Sequence, residues 1–275
     1  MRSASAAELV PLAADDPAPG LDPTPYGQHT VLPEVQGNHN LGMIRNVTRP
    51  ALAVHRPTGD RATGTGVIVC PGGSFVTLTD TGTAIAERLA AQGITAFVLR
   101  YRVLPTPVAD EDFLGRWETA HTMDDIRRQS HVAVEDAGRA VRFVREHAGR
   151  WGIDPRRIGI LGTSAGGLLA LAAATSYTGA DDRPDFAAPI YPPTWHEYRV
   201  PADAPPLFLC FAADDPGDGV LEGNLALHRA WLAADAPVEL HAYERGGHGF
   251  AERAMGLPCD TWMDRYLDWV RMHGF

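Results

Sequence analysis

Short, uninterrupted apolar runs alternate along this chain with segments of helical spacing, and that alternation restricts the fold more than any other feature. "GVIVC" (66–70), "ITAFVLRY" (94–101), "RRIGILG" (156–162), "FAAPIY" (186–191) and "PLFLCFA" (206–212) are short and rich in β-branched or aromatic residues. Such runs are expected of strands buried on both faces. Between the first two, residues 80–93 set Ile85 and Leu89 one turn apart, with Asp80 as candidate cap and Gly93 as terminator. From Met123, the spacing Val134, Ala137, Val141, Val144 predicts an amphipathic helix ending near Gly149. "SAGGLLALAAAT" (164–175), the face Leu221, Leu225, His228, Leu232, and the series Trp262, Tyr266, Trp269 predict three more helices. "VELHAY" (238–243) alternates like a strand. The pattern predicts an α/β chain with a mostly parallel central sheet and helices on both faces.

The remainder is read around that frame. Residues 1–40, rich in Pro, Asp, Asn and Gly, are expected to form an irregular N-terminal arm. "NVTRPALAVHRP" (46–57) reads as an edge strand broken by prolines, and 103–122 as a long loop. No repeat or linker divides 41–275, which is expected to be a single domain. The large aromatics of the last helix read as core packing rather than a dimer surface; oligomeric state is not legible.

The chain has 275 residues, 45% of them hydrophobic, which supports a sizeable core. Its formal net charge of −10 lacks the basic footprint that nucleic-acid binding needs. No lysine occurs, which excludes a P-loop lysine, a Schiff-base lysine and a Ser–Lys pair. Cys70, Cys210 and Cys259 are too few and too widely spaced for a disulfide framework or zinc site, and Cys70 and Cys210 sit in apolar runs as small hydrophobes. No run reaches the ~18 apolar residues of a membrane span. The N-terminus has no signal-peptide pattern, so a cytoplasmic location is the expectation.

One motif carries chemistry. Gly162-Thr163-Ser164-Ala165-Gly166 is a G-x-S-x-G sequence lying where a predicted strand gives way to a predicted helix. A serine on so tight a turn needs a strained backbone, and glycine two residues to either side avoids collision with neighbouring strand and helix. The hydroxyl then projects from the sheet, and the Ala165 amide at the helix start can stabilise an oxyanion. Without lysine, the general base is expected to be a histidine. Of the 11 histidines, His248 in "YERGGHGF" follows a strand on a glycine-rich loop able to carry it back over the sheet edge, whereas His241 lies within the strand. The acid is expected between serine and histidine in the chain. Asp214, Asp215 and Asp218, at the end of "PLFLCFA", all qualify. "CPGGSF", after the first buried strand, offers Gly72, Gly73 and Ser74 as further oxyanion donors.

With those residues in hand, the chain resembles the α/β-hydrolase superfamily, and within it the bacterial acetyl-xylan-esterase-like and feruloyl-esterase-like group. The resemblance rests on "NVTRPALAVHRP", "VIVCPGGSF", "ITAFVLRYR", "AVEDAGRAVRFVREHAGRWGIDPRRIGILGTSAGG", "FLCFAADDP" and "ERGGHGF", spread over about residues 42–250. It implies the α/β-hydrolase fold and a catalytic domain over 41–275. It also implies Ser164 as nucleophile, His248 as base, the residue before Pro216, Asp215, as acid, and an oxyanion hole near Gly73, Ser74 and Ala165. The first loop reads Pro-Gly-Gly-Ser where related lipases carry His-Gly-Gly-Gly, and 103–122 is longer than in the family. The implied activity is hydrolysis of short, acetyl-like esters, with a carbohydrate ester as one candidate substrate and neither metal nor organic cofactor. Peptidase, acyltransferase and non-catalytic binding roles are the alternatives. Trp195, His196 and Tyr198 are candidate substrate contacts beside the loop. The expected partner is a small ester, not nucleic acid or membrane.

Overall fold

The computed structural model describes residues 7–12, 29–31, 42–58, 61–107, 109–114, 121–195 and 197–275. Its strands are β1 (Glu8–Pro11), β2 (His29–Val31), β3 (Met43–Arg45), β4 (Ala51–His55), β5 (Gly66–Cys70), β6 (Thr77–Thr79), β7 (Thr95–Arg100), β8 (Ile158–Thr163), β9 (Phe186–Ile190), β10 (Leu207–Ala212) and β11 (Val238–Tyr243). Its helices are α1 (Thr81–Ala91), α2 (Asp110–Leu114), α3 (Met123–Glu146), α4 (Ala165–Thr175), α5 (Val220–Ala233) and α6 (Trp262–Met272).

Eight strands form the main sheet in the order β1-β4-β7-β5-β8-β9-β10-β11. The pairs from β7 to β11 are parallel, while β1 and β4 are antiparallel additions at one side. Alternate residues of each buried strand serve opposite faces. Ile68, Phe97 and Leu209 join one apolar cluster, with Val141 and Val144 of α3, Leu169 of α4 and Trp231 of α5. Val67, Val98 and Phe208 join the other, with Ile85 and Leu89 of α1 and Tyr266 and Trp269 of α6. Helices therefore cover both faces, and the aromatics of α6 are core residues. No helix among the described residues is long and apolar enough to cross a membrane.

Four expectations need correction. The 46–57 run is not an edge: β4 lies between β7 and β1, and the edge is supplied by Glu8–Pro11, from the segment read as irregular. Most of the rest of that arm lies outside the described residues. A second, three-stranded sheet, β2-β3-β6, had no counterpart in the sequence reading. In α5 the buried stripe is Val220, Asn224, Leu227, Trp231, one residue out of step with the predicted face, and Leu232 is exposed. Asn224 and Trp231 go inward because their side-chain nitrogens donate to the carbonyls of Pro192 and Pro205, at 3.1 and 3.2 Å. Asp80 precedes α1 but makes no side-chain cap; α3 has one, with Thr122 and Asp125 bonded reciprocally.

Two polar clamps hold the segments that lead toward the sheet's C-terminal edge. Asp136 of α3, fully buried, accepts the backbone N–H of Arg102 at 2.9 Å and its guanidinium at 2.7 Å, tying α3 to the chain just past β7. Arg45, also fully buried, donates to Thr106 Oγ1, the Pro107 carbonyl and Asp110, and lies over the Phe113 ring at 4.4 Å. The 103–122 segment is thus anchored near its start, and contains the short helix α2.

Candidate active site

All the loops in question leave the C-terminal ends of neighbouring parallel strands, where open α/β sheets carry their sites. Gly72 to Phe75 follow β5, Ser164 follows β8, Asp214 and Asp215 follow β10, and His248 follows β11.

Ser164 sits between β8 and α4 at φ 53° and ψ −119°, an unfavourable backbone for a residue with a Cβ. Its amide donates to the Ile190 carbonyl at 3.0 Å, and its carbonyl accepts the Leu168 amide at 3.1 Å, so both sides of the turn are held. The flanking glycines are sterically required. A Cβ on Gly162 would lie 2.0 Å from the Gly166 carbonyl oxygen, and one on Gly166 would lie 1.9 Å from that of Cys70. The elbow is thus pressed between its own helix and strand β5.

The Ser164 Oγ is 2.8 Å from His248 Nε2, and His248 Nδ1 is 2.8 Å from Asp215 Oδ2 and 3.1 Å from Oδ1. Of the three candidate carboxylates, Asp215 is the one that meets the imidazole. Its side chain is fully buried, whereas that of His248 is 39% exposed. Asp215 Oδ1 also accepts the Gly217 amide at 2.8 Å, which fixes the carboxylate's rotation. Asp214 turns the other way and accepts the amides of Gly246 and Gly247, at 2.9 and 2.7 Å. Asp218 is exposed. His241 pairs with Glu239 at 2.7 Å within β11, away from this series.

The loop after β5 is the most contorted stretch of the site. Gly73 has φ +126°, and Ser74 and Phe75 have φ +54° and +61°. A Cβ on Gly73 would stand 2.1 Å from the Thr77 carbonyl oxygen, and one on Gly72 would stand 3.3 Å from Ser164 Cβ. The backbone at Gly72 therefore runs directly against the serine. The carbonyls of Gly72 and Gly73 are taken by the amides of Thr79, Val76 and Thr77, and the Tyr101 hydroxyl donates to the Pro71 carbonyl at 2.8 Å. Ala165 is the first residue of α4, so its amide has no partner within the helix.

Trp195 is half-buried, 6.1 Å from the Phe75 ring, with the Arg127 guanidinium 6.0 Å from its own. With Tyr198 it lines a cavity of about 630 Å³ against Glu222 and Leu227 of α5; Ser164 and His248 are not among its walls. Burial pushes the Tyr198 phenol up to about 12. His196 lies outside the described residues. Sequence reasoning passed over Phe75, whose ring bridges Tyr101 and Trp195, and Tyr191, whose ring packs on His248. Neither has a local signature; each was read as part of a loop or a strand.

Near His248, burial raises the Glu252 carboxyl above its ordinary value, opposed by the charges of His248 and Arg253 and by the hydroxyls of Thr81 and Thr79.

The comparisons agree with this architecture. The BD-FAE family model matches residues 126–189, which run from α3 through the elbow to β9. The chain is 25% identical over 224 residues to the acetylxylan esterase of Xylanibacter ruminicola, covering 70% of this chain and 42% of that protein. It is 27% identical over 177 residues to esterase LipI of Mycobacterium tuberculosis, covering 47% of this chain and 54% of that one. The chain thus spans about half the length of these relatives. The acetyl ester-xyloside bifunctional hydrolase from Caldicellulosiruptor lactoaceticus superimposes with a TM-score of 0.70 at 24% identity, over 100% of this chain and 99% of that one. Sheet order, elbow and matched segment together make this a protein of the α/β-hydrolase fold, similar within it to the BD-FAE family and to acetylxylan esterase.

Proposed function

We propose that the chain is a serine-dependent carboxylic ester hydrolase for short, acetyl-like esters, with an acetylated carbohydrate or similar small alcohol as substrate. The observation that carries this reading is the hydrogen-bonded series Ser164–His248–Asp215 on a strained elbow. In that series His248 Nε2 accepts the hydroxyl proton as Ser164 Oγ bonds to the acyl carbon, and the carbonyl π electrons move onto oxygen. The amide of Ala165, with those of Gly73 and Ser74, is the proposed donor set for that oxyanion. Protonated His248 then gives its proton to the leaving alcohol. Water, deprotonated by the same nitrogen, attacks the acyl carbon; the Oγ–acyl bond breaks, the acid leaves, and His248 returns the proton to Ser164 Oγ. Asp215 accepts from Nδ1–H, which holds the reactive tautomer and offsets the imidazolium charge.

The names of the relatives, acetylxylan esterase, esterase LipI and an acetyl ester-xyloside hydrolase, support ester chemistry and suggest the acyl and sugar classes. The test is hydrolysis of p-nitrophenyl acetate against butyrate and octanoate esters, and against acetylated xylose and xylo-oligosaccharides. Acetate is expected to be preferred, and Ser164→Ala to lose about 10⁴-fold or more. Near wild-type turnover by Ser164→Ala, with no labelling of Ser164 by a fluorophosphonate in the wild type, would overturn it.

A further inference from the structure

Tyr191 has four properties rarely combined. It directly follows β9, it is fully buried, its φ is +39°, and its ring meets the His248 imidazole edge-to-face, with centroids 5.1 Å apart at 62°. A bulky side chain in that region of φ marks a conformation held by its surroundings. The holders are identifiable. The Tyr191 amide donates to the Cys210 carbonyl at 2.6 Å, and the carbonyl of Ile190, one residue earlier, accepts the Ser164 amide. The carbonyl of Pro192, one residue later, accepts Asn224 Nδ2. Strands β9 and β10, helix α5 and the elbow therefore converge on this residue. The ring also packs edge-to-face with Phe250, at 4.9 Å and 71°.

The hydroxyl explains none of this. It is buried beside the Thr163 hydroxyl and the Ala251 backbone, and neither it nor Thr163 Oγ1 makes a hydrogen bond of ordinary geometry. A hydroxyl held this loosely stabilises little, so the packing is built around the ring. An aromatic ring at this separation braces an imidazole, and a ring that presents its face also attracts the imidazolium.

We propose that Tyr191 is a positioning residue for His248: its ring holds the imidazole in line with Ser164 Oγ and, with its face toward it, favours the imidazolium formed as the serine attacks. The proposal rests on the acyl-transfer reading of Ser164 and His248 and adds to it a residue outside the hydrogen-bonded series. The other charged groups near the imidazole are Asp215, bonded to Nδ1, and Asp214, which holds the backbone of its loop, both from the end of β10. Glu252 and Arg253 follow from the turn after it. Burial keeps the Tyr191 phenol well above its ordinary value, so it stays neutral where a histidine titrates.

The experiment is the pH profile of kcat/KM for p-nitrophenyl acetate, from pH 5 to 9, in wild type, Tyr191→Leu and Tyr191→Phe, with the rate of fluorophosphonate labelling of Ser164 read in parallel. Loss of the ring removes the proposed preference for the imidazolium. Tyr191→Leu is expected to lose about 10-fold in kcat with little change in KM, and to move the acid limb down by about half a pH unit. Tyr191→Phe is expected to restore most of the rate and the limb. To separate the ring's charge distribution from its shape, phenylalanines bearing one, two and three ring fluorines at 191 should lower the limb stepwise. An unmoved limb in both the leucine variant and the fluorinated series overturns the inference, as does a phenylalanine variant no better than leucine. If wild-type Ser164 does not label at all, the acyl-transfer reading falls first; if it labels and the limb ignores the ring, only the role of Tyr191 falls.

Discussion

The Asp214 carboxylate accepts the Gly247 amide at 2.7 Å, one residue before His248, while its neighbour Asp215 holds the imidazole itself. Two adjacent carboxylates from one strand end thus grip one loop at two points, backbone and side chain. Their variants should separate. Asp215→Asn is expected to lose roughly 10³- to 10⁴-fold in kcat with the melting temperature nearly unchanged, because the isosteric amide cannot hold the reactive tautomer. Asp214→Ala leaves two loop amides unpaired and is expected to cost about 1–3 kcal/mol of stability, with a smaller fall in kcat. Steady-state kinetics beside thermal melts decide the matter; equal kinetic losses would contradict the division of labour.

The elbow glycines predict a folding defect rather than a kinetic one. A methyl group at Gly166 would overlap the Cys70 carbonyl, and at Gly162 the Gly166 carbonyl, and neither obstacle is a side chain able to swing away. Gly162→Ala and Gly166→Ala should each destabilise by about 3 kcal/mol or more, read by urea unfolding. Gly138, in α3, meets nothing within 4 Å, and Gly138→Ala is expected to be stabilising by up to about 1 kcal/mol.

The Arg102–Asp136 pair is buried on both sides, and removing one partner strands the other. Asp136→Ala should cost about 3–5 kcal/mol, whereas a compensating apolar pair at 102 and 136 should recover much of it. A double-mutant cycle in urea gives the answer; a single variant with wild-type stability would refute it.

Glu252 supplies a pH dependence. Its folded-state value is raised, chiefly by burial, so its contribution to stability is fully present below the ordinary glutamate value and is lost as pH climbs through the raised one. Glu252→Gln cannot ionise and escapes that loss. The melting temperature of the variant, relative to wild type, should therefore rise between pH 4 and pH 8. A gap that stays flat or narrows would show that the charge is comfortable where it lies.

What the sequence disclosed was whatever short-range sterics and solvent exclusion determine. Runs such as "GVIVC" have too few residues and too much branching to be anything but interior strands, and the glycines around Ser164 announce a contact that no side chain could survive. The loop histidine was legible for the same reason, since Gly246, Gly247 and Gly249 surround it. Partnerships between distant segments were not legible. Glu8–Pro11 is a strand only because β4 lies beside it, and three residues at β3 or β6 hold no pattern of their own. The rotation of α5 turned on Asn224 and Trp231, residues that count as polar or interfacial until each finds a carbonyl inside. Tyr191 was invisible because its importance lies in which ring it meets 57 positions later, and no spacing rule spans that distance.

β1 has one more consequence. By pairing with Ala51–Val54 it caps a strand whose four paired residues are all buried. Chains lacking the first dozen residues would present that strand's free amides and carbonyls to solvent, with no charged side chain between Ala51 and Val54 to discourage a second molecule from docking there. The hazard of such trimming is stickiness: dispersed at first, then lost to strand-by-strand accretion while the Ser164 end of the sheet is still intact.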